Sequence, residues 1–393
     1  MGTGSDAVKA PSTAGNGYFP ALDGVRTMCC AWVVVGHAVP ISPYSGLVAG
    51  MGVNVFFALS GFLITTLLLR ERARTGSIAL GPFYLRRVLR IFPVYYAALA
   101  VFVAGTLLLG DRFLKVLAFE SPVPWGPILG SHATFLANWY DDHLPTSLSV
   151  LWSVSVEEQF YVVFPPLLVL AGRNRSAYGV VVFGLAAAWA TRLYLAFTTP
   201  HLVYRNSIAH GDHLLLGVAL AQAFHTNTSD VEAFCRRLGT AGEVVTIAVL
   251  VALPYWEFRV QPVGVQLFFY YVVSAIACAL LVALVATMAG AFSRVFAWSP
   301  VRVLGQLTYS AYVFHIYGVT VAWAVCQRFV AGGTLELAAR AALSLVFTFV
   351  LAYVVRVTFE ARILAFKDRI AGPRPAAHGG VARDVSQSLV SGR

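Results

Sequence analysis

Charge is scarce in this chain of 393 residues. Asp, Glu, Lys and Arg make up 12% of it against 58% hydrophobic residues, and the mean hydropathy is +0.73. A soluble domain carries about twice that charged fraction, so a water-soluble globule is excluded. Lysine is nearly absent: only Lys9, Lys115 and Lys367 occur, and the basic side is built from arginine. With the abundance of Ala and Val, that bias suggests a GC-rich genome, such as an actinobacterial one. Cysteine is sparse as well. The five present, Cys29, Cys30, Cys235, Cys278 and Cys326, are odd in number and contain no C-x-x-C, which excludes a disulfide framework and leaves them as small core residues. Walker loops, G-x-S-x-G elbows and H-E-x-x-H motifs are missing too. Residues 1–17 are polar and Gly/Ser-rich without an apolar core, so no cleavable signal is expected there.

Long apolar runs are what the chain does have. They recur at 21–39, 50–69, 92–110, 148–171, 178–197, 206–224, 243–258, 263–290, 302–329 and 336–359. A bilayer core is crossed by about 20 such residues, so these runs predict an all-α, polytopic transmembrane bundle of about ten spans. A further piece at 127–139 reads as interfacial or re-entrant. The expected organisation is a polar tail over 1–17, one transmembrane domain over 18–365, and a disordered tail over 366–393.

The net charge of +10 does not call for nucleic acid, because the arginines gather at the ends of the apolar runs. With the N-terminus placed inside, twenty-one of the 28 lysines and arginines fall on one side and seven, Arg192 among them, on the other. The positive-inside rule then puts both termini in the cytosol of a multi-pass cell-membrane protein.

Ionisable groups inside such runs cost a few kcal/mol or more and are functional candidates. Arg26 and His37 bracket the first run. Eleven residues apart, they lie almost three helical turns, roughly 16 Å, from each other on one face. Arg26 falls at the inner end and His37 towards the outer half. Arg86, Arg87 and Arg90 form a second group, in which Arg87 and Arg90 share a helix face. They read either as ordinary positive-inside anchors or as a phosphate site, since paired guanidiniums match phosphate oxygens. Pro93 is expected in the first turn of the third helix. Glu157 and Glu158 sit early in an apolar run and diverge on a helix, so one of them is expected to face the interior; both could be counter-ions for the arginines. His210-Gly211-Asp212-His213 raises a metal site only weakly, with no second ligand group, and no metal is expected. In Leu307–His315, the hydroxyls and His315 are expected to make interhelical hydrogen bonds.

Taken in order, five blocks resemble the acyltransferase 3 family of membrane-bound O-acyltransferases. They are Leu22-Asp23-Gly24-Val25-Arg26 running to His37, Gly52–Phe62, Phe83–Pro93, Trp152–Tyr161 and Tyr309–His315. Two departures are visible: Asn54 stands where the family usually has an acidic residue, and Tyr317 where a proline often follows the last histidine. The resemblance implies a stand-alone member without the fused esterase-like domain that some relatives carry. It implies transfer of an acyl group, acetyl or another short chain, from acyl-CoA to a hydroxyl of a glycan, glycolipid or macrolide-type metabolite. Arg26 and His37 are then the essential pair, with His37 as general base or acyl relay. Arg86, Arg87 and Arg90 would meet the CoA phosphates, and Glu158 or Asp212 would orient His37 or neutralise an arginine. Neutral imidazole, with an ordinary pKa of ~6.5, suits the base role. The rivals from other classes are a secondary transporter, which would show inverted repeats or broken helices that the sequence does not display, and a non-catalytic membrane scaffold.

Overall fold

The computed structural model describes residues 18–39, 44–117, 123–140, 146–172, 177–330, 332–363 and 365. Among them every regular element is helical and no strand occurs. The helices are α1 (Pro20–Ala38), α2 (Tyr44–Thr75), α3 (Leu80–Leu109), α4 (Asp111–Val116), α5 (Trp125–Ala133), α6 (Thr146–Ser149), α7 (Trp152–Leu170) and α8 (Tyr178–Thr198). They continue as α9 (Gly211–Thr226), α10 (Thr228–Val260), α11 (Val265–Ala286), α12 (Ala291–Phe296), α13 (Ser299–Gly305), α14 (Thr308–Phe329) and α15 (Thr334–Val355). The polar tails expected at 1–17 and 366–393 lie outside the described residues.

Among the described residues seven helices, α2, α3, α8, α10, α11, α14 and α15, are long and apolar enough to cross a membrane. The other three expected spans are α1, α7 and α9, of 19, 19 and 16 residues. At ~1.5 Å per residue α9 reaches only about 24 Å, short of a ~30 Å hydrocarbon core, and α1 and α7 carry the charged residues of the site. Leu107, Leu108, Leu170 and Phe183 are more than 70% exposed, a surface that lipid tails cover.

α3 corrects one expectation. Pro93 lies inside this helix rather than in its first turn, because the helix starts at Leu80 and carries the arginine cluster on its own opening turns. Proline has no N–H to give the carbonyl four residues back, so the ladder loosens at that point. Nearby, the Ile91 carbonyl accepts a 2.8 Å hydrogen bond from the Tyr309 hydroxyl. The expected run at 302–329 is likewise split, into α13 and α14.

Two apolar clusters hold the bundle together. One joins α2, α3, α7 and α14 around Tyr95, Trp152 and Phe164; the other joins α1, α2, α9 and α11 around Phe62, Tyr271 and Leu281. α2 belongs to both, and it packs most extensively on α9. Glycine makes that crossing possible. A Cβ on Gly61 would stand 1.9 Å from the Leu214 carbonyl oxygen, and one on Gly217 would stand 2.2 Å from that of Ala58. Helices that associate inside a membrane rely on such close backbone approach. The piece at 127–139 forms α5 and the short turn Ala137–Trp139, both folded against mid-bundle helices. The Tyr96 hydroxyl donates to the Ala133 carbonyl at 2.9 Å, and Gln159 Nε2 donates to that of Phe135 at 2.7 Å.

Candidate active site

α1 is short, and its neighbours close round it on several sides. Pro20 sets the first turn, and Asp23 sits where the helix dipole favours negative charge. α2, α13, α14 and α15 all pack on it, and the Thr27 hydroxyl donates to the Val301 carbonyl at 2.7 Å. The helix therefore holds Arg26 and His37 on a fixed axis through the bundle.

At the far end, His37 is partly buried and its Nδ1 lies 2.9 Å from the Val33 carbonyl oxygen. A carbonyl only accepts, so the ring proton is on Nδ1 and the Nε2 lone pair is left for chemistry. The ring meets His315 of α14 edge to face, with centroids 4.9 Å apart and planes at 64°. His315 is fully buried, and its Nδ1 donates to the Tyr312 carbonyl at 2.6 Å. Its Nε2 has no hydrogen-bond partner among the described residues. Tyr312 is fixed in turn by Ser153 Oγ at 2.5 Å and the Val150 carbonyl at 2.9 Å, which ties α14 to the start of α7. His315 was expected to bond between helices. It bonds within its own helix and instead packs on His37.

At the near end, Arg26, Arg90 and Glu157 lie within electrostatic reach of one another, and Arg87 also acts on Arg90 and Glu157. Glu157 accepts a short hydrogen bond from Ser60 of α2. The Arg87 guanidinium lies over the rings of Phe83 and Tyr161, 5.8 and 5.9 Å from their centroids. Arg90 also feels Glu360, which accepts from Ser310 at 2.8 Å and pairs with Arg356 at 2.6 Å. Four helices, α1, α2, α3 and α7, thus converge on one charged cluster. Glu158 stands beside Arg87 and Glu157, with its Oε1 unbonded. Of the two carboxylates, Glu157 is the one within electrostatic reach of Arg26. Arg86 is not gathered in: it turns towards Glu71, 4.0 Å away.

A second polar assembly joins α2, α8 and α11 to the start of α9. Arg192, Asp212, His213, His210 and Ser274 are fully buried, and Asn54 nearly so. Arg192 grips both oxygens of Asp212, with Nη2–Oδ1 at 2.8 Å. Asp212 Oδ1 also accepts from His213 Nδ1 at 2.8 Å. The chain continues from His213 Nε2 to Ser274 Oγ, and from there to Asn54 Nδ2, both at 3.1 Å. It ends where Asn54 Oδ1 accepts from His210 Nε2 at 3.0 Å. Asp212 therefore neutralises an arginine, Arg192, and its oxygens are taken up there and by His213 rather than by His37. Arg192 was counted with the outer loops; it is fully buried, because the bidentate pair to Asp212 makes that burial tolerable. Asn54 supplies a donor and an acceptor at once, a role a carboxylate could not fill. All five cysteines are buried and unpaired.

A family profile described as an acyltransferase domain matches residues 19–357. The peptidoglycan O-acetyltransferase of Listeria monocytogenes is 29% identical over 329 residues, 79% of this chain and 51% of the relative. A Bacillus subtilis protein named as a candidate peptidoglycan O-acetyltransferase is 26% identical over 320 residues, 76% of this chain and 48% of its own. A Staphylococcus aureus protein named as a candidate O-acetyltransferase is 31% identical over 214 residues, 52% of this chain and 34% of its own. The chain thus spans about half the length of the first two relatives and less of the third. Their sources lend no support to the actinobacterial origin suggested by the arginine bias. No solved structure matches the chain.

Proposed function

The chain belongs to the acyltransferase 3 family, whose acyltransferase domain covers residues 19–357, and on that premise we propose that it carries an acyl group from acyl-CoA to an acceptor hydroxyl along the axis of α1. The carrying observation is that α1 holds a base-competent imidazole at one end and enters a guanidinium cluster at the other. The charge count that predicts cytosolic termini would put that cluster on the side where CoA is found. Arg26, Arg87 and Arg90 act on Glu157, Arg87 also on Glu158, and Glu360 is paired with Arg356, so positive charge stays in excess even with the carboxylates ionised, which suits phosphate oxygens. Acyl-CoA supplies an activated thioester. Arg87 and Arg90 would hold its phosphates, and Arg26 would guide the arm towards His37.

His37 Nε2 takes the proton from the acceptor hydroxyl as its oxygen forms a bond to the thioester carbonyl carbon. The carbon–sulfur bond then breaks, and His37 returns the proton to the leaving thiolate, giving an ester and free CoA. The Val33 carbonyl holds the Nδ1 proton throughout and stabilises the transient imidazolium. The relatives' names point to a cell-wall glycan as the first acceptor to try; a macrolide-type hydroxyl is the second.

The test uses the purified chain in lipid vesicles with labelled acetyl-CoA and a peptidoglycan or glycoside acceptor. Label in an alkali-labile ester supports the reading. Acetyl-CoA binding with no transfer to any hydroxylated acceptor overturns it.

A further inference from the structure

We propose that His315 binds the acceptor directly: its Nε2 accepts a hydrogen bond from a second hydroxyl beside the one His37 deprotonates, so the site selects diols over isolated alcohols. The inference rests on the acyl-transfer reading given above and names the acceptor class of that same site.

The argument starts from the two ring protons. His37 has its proton on Nδ1, committed to Val33, and His315 has its proton on Nδ1, committed to Tyr312. Each Nε2 is therefore a lone pair, and neither ring has an N–H to offer the other. Yet the rings touch, edge to face at 4.9 Å. His315 Nε2 is enclosed and unbonded although the residue is wholly buried. A buried acceptor without a donor is costly, and in a functional site it marks the place of a ligand group.

One alcohol cannot meet both needs, because it has a single O–H and His37 takes it. A neighbouring hydroxyl on the same molecule can. It would donate to His315 Nε2 while the reacting hydroxyl donates to His37 Nε2. Pyranose rings carry adjacent hydroxyls of this kind. His315 is held in place by its Nδ1 bond to the Tyr312 carbonyl, which is part of the backbone of α14.

The experiment uses the full chain in lipid vesicles with acetyl-CoA, offering methyl glucopyranoside and its mono-deoxy analogues, with thiol release and product mass as readouts. In the wild type, removing the hydroxyl next to the acylated one should lower kcat/KM by roughly 10- to 100-fold. His315→Ala should lower kcat/KM for the intact glycoside to the same extent and no longer distinguish the deoxy analogue. The KM for acetyl-CoA should stay unchanged. His315→Gln, whose amide oxygen also accepts, should recover part of the preference and shows that the position tolerates change. A wild type indifferent to the missing hydroxyl, or an Ala variant that still discriminates, overturns the proposal while leaving acyl transfer intact. Absence of transfer from the wild type to any glycoside overturns carbohydrate acylation itself, and this inference with it.

Discussion

Two charged assemblies lie inside this bundle, and they handle charge in opposite ways. In the Arg192–Asp212 assembly one guanidinium meets one carboxylate in a bidentate pair, and the remaining groups extend it as an unbroken run of hydrogen bonds. All of it is buried, and only Arg192 Nε and His210 Nδ1 lack a bond. Round α1 the balance is uneven: guanidiniums outnumber carboxylates, Arg26, Arg87, Arg90 and Glu157 are partly exposed, and at the opposite end a buried imidazole nitrogen faces the catalytic candidate unbonded. A compensated, closed assembly ties helices together. One with excess charge and open acceptors retains the capacity to bind something else.

The largest effect should come from breaking the closed assembly. Arg192→Met strands a buried carboxylate, so it should destabilise the protein by about 3–5 kcal/mol, seen as a lowered thermal midpoint in detergent. Arg192→Met combined with Asp212→Leu should recover much of that loss, because replacing both members of a buried pair is often neutral. A double variant as unstable as the single one would mean that the assembly does more than balance charge. Next in size is the crossing that carries it. Gly217→Ala drives a methyl into the Ala58 carbonyl and should cost about 1–3 kcal/mol, measured the same way.

The open assembly should respond in kinetics rather than stability. Arg87→Ala should raise the KM for acyl-CoA by about tenfold or more, the worth of a charge-assisted hydrogen bond, with little change in thermal midpoint. An unchanged donor dependence would remove Arg87 from the donor site. The smallest effect belongs to Arg86→Gln. Its partly exposed, 4.0 Å contact with Glu71 is worth about 0–1 kcal/mol, and the variant should keep its donor KM.

Much of this was legible in the sequence, and the parts that were not share a cause. Long apolar runs need only local information, so the helical class and most spans could be read directly. The start of α3 could not, because a proline ordinarily marks a helix's first turn, whereas here the chain carries Pro93 within a helix begun at Leu80. Arg192 was misplaced for a non-local reason. A lone arginine near a span's end looks like an anchor until Asp212, on the next helix, is seen to pair with it. Glu157 and Glu158 point about 100° apart on α7, and only the tertiary placement of α1 and α2 brings Glu157 to Ser60 and within electrostatic reach of Arg26. The contact between His37 and His315 joins the first core helix to one near the end of the fold, which no spacing rule reaches.

The account turns on His37 as the proton-accepting group of acyl transfer. The most direct measurement is acetyl transfer by His37→Ala in lipid vesicles, with acetyl-CoA binding and thermal midpoint recorded on the same preparation. The prediction is a loss of about 10²–10⁴-fold in transfer, the usual contribution of a general base, with binding and folding retained. Transfer at the wild-type rate by a folded His37→Ala protein would contradict it.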